Sequence, residues 1–412
     1  MTEPIESMIQ NIIAEKHPDI AKFIADEDAR QKNNVELIAS ENFPSEAVKA
    51  ACASSFIAKY AEGYAPERID GVGNTGRYYG GCHNIDALEE YCCQKWREVF
   101  KTDYHVNVQP ASGSHANMAA YQAILELGDK ILSMDMACGH LTHSSPASFV
   151  SKLYEVHTYG LNENGFIDMD EVERLAKEIK PKLILAGASA YSRIIDFKRF
   201  KEIADEVGAY FMVDMAHIAG LVASGDHPSP FGLADIVTTT SQKTLRGPRG
   251  AMIFCKPELA KKVDSAIFPG TAGGPAENII AAKAISAEEC LDPSFNEYIH
   301  QVVKNSQAMA NEFTSMGYEV VSGGTDNHLL VLTFVNTHPW LSGLKVQNEL
   351  DKYQITLNKN RVPGDTRGPK YCSGVRIGTP AMTTKGWKEE NFISCARLID
   401  SIIKKLEEEN KK

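Results

Sequence analysis

Between residues 104 and 285, short apolar runs alternate with amphipathic stretches. The runs HVNVQP (105–110), KILSMD (130–135), KLILAGAS (182–189), YFMVDMA (210–216), DIVTTT (235–240) and AMIFCK (251–256) are brief and rich in β-branched and large apolar residues. Runs of that length and composition predict buried strands. Most are separated by stretches with helical spacing, such as MDEVERLAKEIK (169–180) and DFKRFKEIADEVG (196–208). The first of these ends at Lys180-Pro181, an ordinary helix stop. Strands alternating with helices predict an α/β fold, a mostly parallel sheet covered on both faces. Ligands in such sheets bind beyond the carboxyl ends of the strands.

The pattern changes after about residue 290. Long helical stretches, 297–317 and 387–409, flank strand-like runs at HLLVLTF (328–334), ITLNK (355–359) and GVRIGT (374–379). This reads as a smaller C-terminal α+β domain. The division expected is a helical arm over 1–32, a large α/β domain over 33–285 and a small domain over 286–412. A chain of 412 residues is long for a single core, which agrees with two domains.

Composition narrows the function. The hydrophobic share of 43% and the charged share of 24% are those of a soluble globular protein. No apolar run reaches the length of a membrane span. A net charge of −11 argues against nucleic acid or an anionic membrane as partner. The first twenty residues lack the basic start and apolar centre of a signal peptide. Nine cysteines, an odd number with no C-x-x-C pair, suggest reduced thiols rather than a metal or redox motif, and a cytoplasmic protein.

Three features then point to chemistry. Lys243, in TTTSQKTLRGPRG, follows the strand DIVTTT and so stands at a strand's carboxyl end. Asp214 ends the strongly apolar strand YFMVDMA, where a carboxylate is costly without a cationic partner. A pyridinium nitrogen is such a partner, and an acid that keeps it protonated lets the ring of pyridoxal phosphate act as an electron sink. Ser112, Gly113 and Ser114 lie between HVNVQP and a predicted helix, where main-chain N–H groups and the helix dipole favour an anion such as the cofactor phosphate. Alone, each has a plain alternative: a surface lysine, a helix cap, an ordinary Ser cap. Their order along the chain, phosphate turn, acid, lysine, makes the joint reading the stronger one. Lys243 is then the residue that carries the cofactor as a Schiff base.

The chain resembles the serine hydroxymethyltransferase family. The resemblance is carried by ELIASENF (36–43), KYAEGY (59–64), RYYGGC (77–82), NVQPASGSHAN (107–117), GHLTH (139–143), GASAYSR (187–193), VDMAHIAGLVA (213–223), TTTSQKTLRGPRG (238–250), FPGTAGGP (268–275) and SGVRIGTPAMTTKG (373–386). It implies a fold-type I, aspartate-aminotransferase-like enzyme. It also implies reversible conversion of serine and tetrahydrofolate to glycine and 5,10-methylenetetrahydrofolate. Lys243 and Asp214 take the roles already given. By the same resemblance His140 would stack on the cofactor ring, Ser189 and His217 would lie near its phenolic oxygen, and Ser112, Gly113 and Ser114 would hold its phosphate. Tyr60, Gly273 and Gly274 would reach that phosphate from the neighbouring subunit of a homodimer. Arg376, helped by Ser40, would clamp the substrate carboxylate, as the planar fork of a guanidinium suits. Glu62 would move the proton on the serine β-hydroxyl, with Tyr78 and Tyr79 lining the same site, and Asn360 would contact the folate pterin.

The departures from the family pattern are also specific. Segment 65–76 (APERIDGVGNTG), between Glu62 and Tyr79, is longer than the family's segment there and carries an insertion; Gln242 replaces the usual His before the lysine; Ala272 replaces a Gln; Asn278 replaces a His; Cys138 replaces a Gly. These leave room for a folate-independent aldolase or transaldolase on β-hydroxy or α-methyl amino acids. Retention of Glu62, Tyr78 and Asn360 favours the folate reaction.

Overall fold

The computed structural model describes residues 5–66, 76–136 and 141–411. Seven strands form the main sheet in the spatial order His105–Asn107, Ala251–Cys255, Ile236–Thr240, Tyr210–Asp214, Leu183–Ala186, Lys130–Met134, Glu155–Tyr159. Ala251–Cys255 runs antiparallel to both neighbours and the other pairings are parallel. Six strands therefore share one direction, and their carboxyl ends open on the same edge. The alternating runs foretold six of these strands. The seventh, Glu155–Tyr159, is an edge strand whose residues are mostly half-buried or exposed, so it has no apolar run to announce it.

The strands read as continuous apolar runs because both faces of the sheet are buried. Leu183 and Leu185 pack on one side with Met212, Ile236 and Ile253, while Ile184 and Ala186 pack on the other with Phe211, Val213 and Phe254. Burying one such leucine or phenylalanine fully contributes roughly 1.5–3 kcal/mol. The covering helices carry the expected terminal signals. Asp196 caps Phe197–Val207 by accepting from Arg199 N at 3.0 Å, and Gly208 closes it in the left-handed conformation. Asp168 does the same for Met169–Ile179, accepting from Glu171 N at 3.0 Å, and Lys180 ends it before Pro181.

In the C-terminal part, Leu329–Thr333 lies between Glu319–Val320 and Gly374–Gly378, and Asn358–Asn360 pairs with the outer edge of the latter, all antiparallel. The run ITLNK splits: Ile355–Thr356 pairs in parallel with Val35–Glu36, while Asn358–Asn360 joins the four-stranded sheet. Leu330, Leu332, Val375 and Ile377 face the helices Pro293–Ser315 and Glu389–Asn410 in a third core. Strand alternation then turns Arg376 to the opposite face, toward the main sheet. No helix among the described residues is long and apolar enough to cross a membrane, and each described cysteine is a free thiol.

Candidate active site

The carboxyl edge of the main sheet holds a cavity of about 360 Å³ lined by Ser40, the 112–114 turn, Ser189, Asp214, His217, Lys243 and Arg376. Each reaches it from a different element. Ser112 caps the helix Gly113–Ile124, its Oγ accepting from His115 N at 3.2 Å; Gly113 and Ser114, whose N–H groups a helix's first turn does not use, line the cavity. A Cβ on Gly113 would lie 2.9 Å from Thr240 Cγ2, so only glycine lets the turn sit against the strand that leads to Lys243. Ser40 is brought in by the crossing of segment 37–40 over Gly378, where Gly378 N donates to Leu37 O at 2.8 Å.

Lys243 Nζ donates to Thr240 Oγ1 at 2.9 Å. Loss of water around the amine pushes its pKa down to about 8; Asp214 opposes this, while Arg376 and Arg249 add to it. Asp214 is held from behind. Its Oδ2 accepts from Asn117 Nδ2 at 2.9 Å and faces His143 Nε2 at 3.0 Å, and its Oδ1 accepts from Ala216 N at 3.0 Å. Thr238 Oγ1 donates to Asn117 Oδ1 at 2.7 Å, which fixes the amide with its NH₂ toward the acid. Tyr121 OH bonds His143 Nδ1. Burial and the nearby Asp214 push the Tyr121 phenol well up, so it stays protonated and donates, leaving the proton of His143 on Nε2, toward Asp214. The network thus presents a carboxylate whose position is fixed before any ligand arrives.

Arg376 is deeply set. Its Nη1 donates to Ser189 O at 2.6 Å and its Nε to Asn358 Oδ1 at 3.1 Å, and burial alone lowers its pKa to about 10, so it remains charged at neutral pH. No carboxylate among the described residues pairs with it, so the structural salt bridge that a buried arginine would otherwise suggest is not formed there. A second pocket of about 280 Å³ adjoins the first, sharing Ser189 and Arg376 and adding Asn358, Asn360 and Arg361. His217 Nδ1 lies 3.2 Å from His328 Nε2, the two rings stacked.

The other residues singled out by the sequence stand apart. Tyr60, Glu62, Tyr78 and Tyr79 do not line this chain's cavity. They gather beside Gly273 and Gly274: a Cβ on Gly273 would lie 3.1 Å from Glu62 Oε1, and one on Gly274 would lie 3.1 Å from Tyr60 Cδ1. The three tyrosines pack edge to face at 5.4 Å, with Tyr60 59% and Tyr78 79% exposed. His140 and Cys138 lie outside the described residues.

A family model described as serine hydroxymethyltransferase matches residues 13–399. The chain belongs to the serine hydroxymethyltransferase family. A serine hydroxymethyltransferase of Lactobacillus johnsonii is 53% identical over 398 residues, covering 96% of this chain and 94% of that protein. One of Limosilactobacillus reuteri is 54% identical over 392 residues, covering 94% and 92%. The main sheet is accordingly that of a fold-type I pyridoxal-phosphate enzyme.

Sequence reasoning passed over Asn117, His143, Thr240 and Arg249, all of which line the cavity of this family member. Asn117 had a usable signal: it stands four residues after Gly113, on the same face of the helix as the turn. His143 had none, because a histidine beside an acid across 71 positions is visible only once the chain is folded. The departures from the serine hydroxymethyltransferase pattern have local partners. Gln242 Oε1 accepts from Gly250 N at 3.3 Å, bracing the lysine loop. Asn278 Nδ2 donates to Cys52 O at 2.7 Å, and Ala272 packs on the apolar core. Of the insertion, residues 67–75 lie outside the described residues. Its neck is closed by the Gly63–Arg77 bridge and by the buried Arg77, which donates to Ala61 O and Gly63 O at 2.8 Å and pairs with Asp86 and Glu89.

Proposed function

We propose that this cavity is where the protein passes a one-carbon unit between serine and glycine, with tetrahydrofolate as carrier and pyridoxal phosphate as cofactor. What supports the reading is convergence: an amine held out of water, a braced carboxylate, an anion-binding turn and an unpaired guanidinium meet in one space of ligand size. The residues fit the cofactor. The 112–114 turn would hold the phosphate, Asp214 the ring nitrogen and Lys243 the aldehyde carbon, with Ser189 and His217 near the phenolic oxygen. When bound, the cofactor supplies a sink for the electron pair released as a bond to the substrate Cα breaks.

The chain's own residues do the rest. Asp214, fixed by its three hydrogen-bond donors, would hold a proton on the ring nitrogen. Arg376 takes the substrate carboxylate in its free guanidinium edge, with Ser40 beside it, and so sets which Cα bond stands ready to break. Asn360 in the adjoining pocket receives the pterin, which places the carrier next to the substrate because the two pockets share Ser189 and Arg376.

The proton on the β-hydroxyl needs a second acid, and among the described lining residues Asp214 is the one carboxylate. Glu62 fills that role from the partner subunit of a homodimer, with Tyr60, Tyr78, Tyr79, Gly273 and Gly274 on the same shared surface. The exposed tyrosines and the position of Glu62 outside its own cavity support this. Reduced thiols and the lack of a spanning helix among the described residues accord with a cytoplasmic setting. Arg376→Lys, which keeps the charge but loses the fork, should raise the KM for serine at least about tenfold while the bound-cofactor absorbance is unchanged. Steady-state kinetics decide it: an unaltered KM would remove Arg376 from carboxylate binding.

A further inference from the structure

One buried cation takes no part in this scheme. Lys283, on the helix Glu277–Leu291, is 1% exposed and does not line the cavity. Its ammonium donates to three main-chain carbonyls, Val108 O at 2.7 Å, Pro110 O at 3.0 Å and Ala251 O at 2.9 Å. That uses all three of its donors. Burial pushes its pKa down to about 8, against the pull of Glu277 and Glu89, so it is charged at neutral pH.

The place it occupies is where the sheet runs out. The ladder between His105–Asn107 and Ala251–Cys255 has its last pair at Asn107 and Ile253; beyond it Ala251 N still donates to Pro110 O at 3.1 Å, but Pro110 has no N–H to return a bond. Lys283 binds carbonyls on both sides of this last one-sided contact and so reinforces it. One side leads directly into the phosphate turn, the other is the exit of the Lys243 loop.

Two further contacts carry its influence forward. Ala111 N, the next donor after Pro110, bonds His115 Nδ1 at 3.2 Å, and His115 Nε2 lies 3.0 Å from Thr271 Oγ1. Thr271 Oγ1 gives its own proton to Ala266 O at 2.7 Å, so Nε2 must be the protonated nitrogen and Nδ1 the bare acceptor. Burial, together with the charge of Lys283, lowers the His115 pKa and keeps the ring in that neutral form. On the other side Lys283 packs on Gly250, where a Cβ would meet its Cε at 2.4 Å, and Gly250 O accepts from Ser241 N at 3.0 Å, two residues before Lys243.

We infer that Lys283 is a positioning residue that pre-forms the phosphate turn and locks it to the Lys243 loop. The inference rests on the reading of 112–114 as the phosphate turn. Its test is the rate at which full-length holoenzyme releases pyridoxal phosphate on dilution, followed by visible absorbance. Lys283→Met, similar in length and without donors, should release the cofactor at least about tenfold faster, and Lys283→Arg should fall closer to the parent protein. The ³¹P resonance of the bound cofactor should move in Lys283→Met, whereas a merely less stable protein would keep it in place. Ser114→Ala is measured alongside. If it releases faster but Lys283→Met does not, the inference fails and the turn assignment stands; if neither releases faster, both fail. An arginine variant no better than the methionine one would also overturn the role of the charge. Gly250→Ala keeps the ammonium but crowds it off its carbonyls, and should speed release about threefold. Release at the parent rate from Gly250→Ala would overturn the inference even where Lys283→Met does not fold.

Discussion

Lys243→Ala is expected to lower serine-to-glycine turnover by about a thousandfold or more while leaving the fold intact. The size follows from what the amine alone supplies. Lys243 is the one lysine on the cavity wall among the described residues, and its pKa of about 8 leaves a substantial neutral, nucleophilic fraction at mildly alkaline pH. An alanine offers nothing in its place, and neither Arg249 nor Arg376 can act as a nucleophile because a guanidinium has no lone pair to give. The fold should survive because Lys243 makes a single side-chain hydrogen bond, to Thr240, and fills no core position. The purified variant should still bind pyridoxal phosphate through the 112–114 turn and Asp214, but its absorbance should be that of the unattached aldehyde. A variant that turned over serine at the parent rate would remove Lys243 from the reaction.

The second large effect tests the proposal that Glu62 acts from a partner subunit. Glu62→Gln should also lose about a thousandfold in turnover, yet keep the parent absorbance and glycine affinity, because the change replaces only the proton carrier. A site shared between two subunits, as proposed, leads to a sharper expected result. When Lys243→Ala and Glu62→Gln chains are mixed and allowed to exchange, hybrid dimers combine one intact lysine with one intact glutamate in the same site. Half of the dimers would then be hybrids with one working site of two, and activity should recover to about a quarter of the parent value. If each subunit instead completed its own site, no mixture of the two dead variants would recover activity. The placement of Glu62 against Gly273, on a surface with exposed Tyr60 and Tyr78, is what leads to the first outcome.

Much of this was legible in the chain itself. The buried central strands announce themselves because burial on both faces demands an unbroken apolar run, and the acid and lysine follow because each stands at the end of such a run. The edge strand Glu155–Tyr159 was not legible, since a strand at the sheet edge, half-buried or exposed at all but Tyr159, carries Glu155, His157 and Thr158 as readily as a loop does. The brace behind Asp214 was hidden for a different reason. Asn117 and Tyr121 share one face of the helix Gly113–Ile124, but His143 and Asp214 join them only when strands distant in sequence stack side by side, and no local pattern marks that meeting. Arg376 lies between: alternation in GVRIG shows that it faces away from Val375 and Ile377, but only the fold shows that this face looks onto Ser189. Lys283 was silent altogether, because a lysine on a helix reads as solvated until the helix is seen to be buried on that side.

The insertion and the substitutions Gln242, Ala272 and Asn278 bear on the folate side of the account. Each of the three substituted side chains found a local partner or a packed position; Gln242 lines the cavity in place of the usual His, while Ala272 and Asn278 stand off its wall. The central claim is therefore that the one-carbon unit leaves serine for tetrahydrofolate rather than being released by a simple aldol cleavage. The most direct measurement is glycine formation from serine by the purified holoenzyme with and without tetrahydrofolate. The account predicts that turnover rises at least about a hundredfold when the carrier is added, since proximity of carrier and substrate in adjoining pockets is what speeds the transfer; an equal rate in its absence would contradict it.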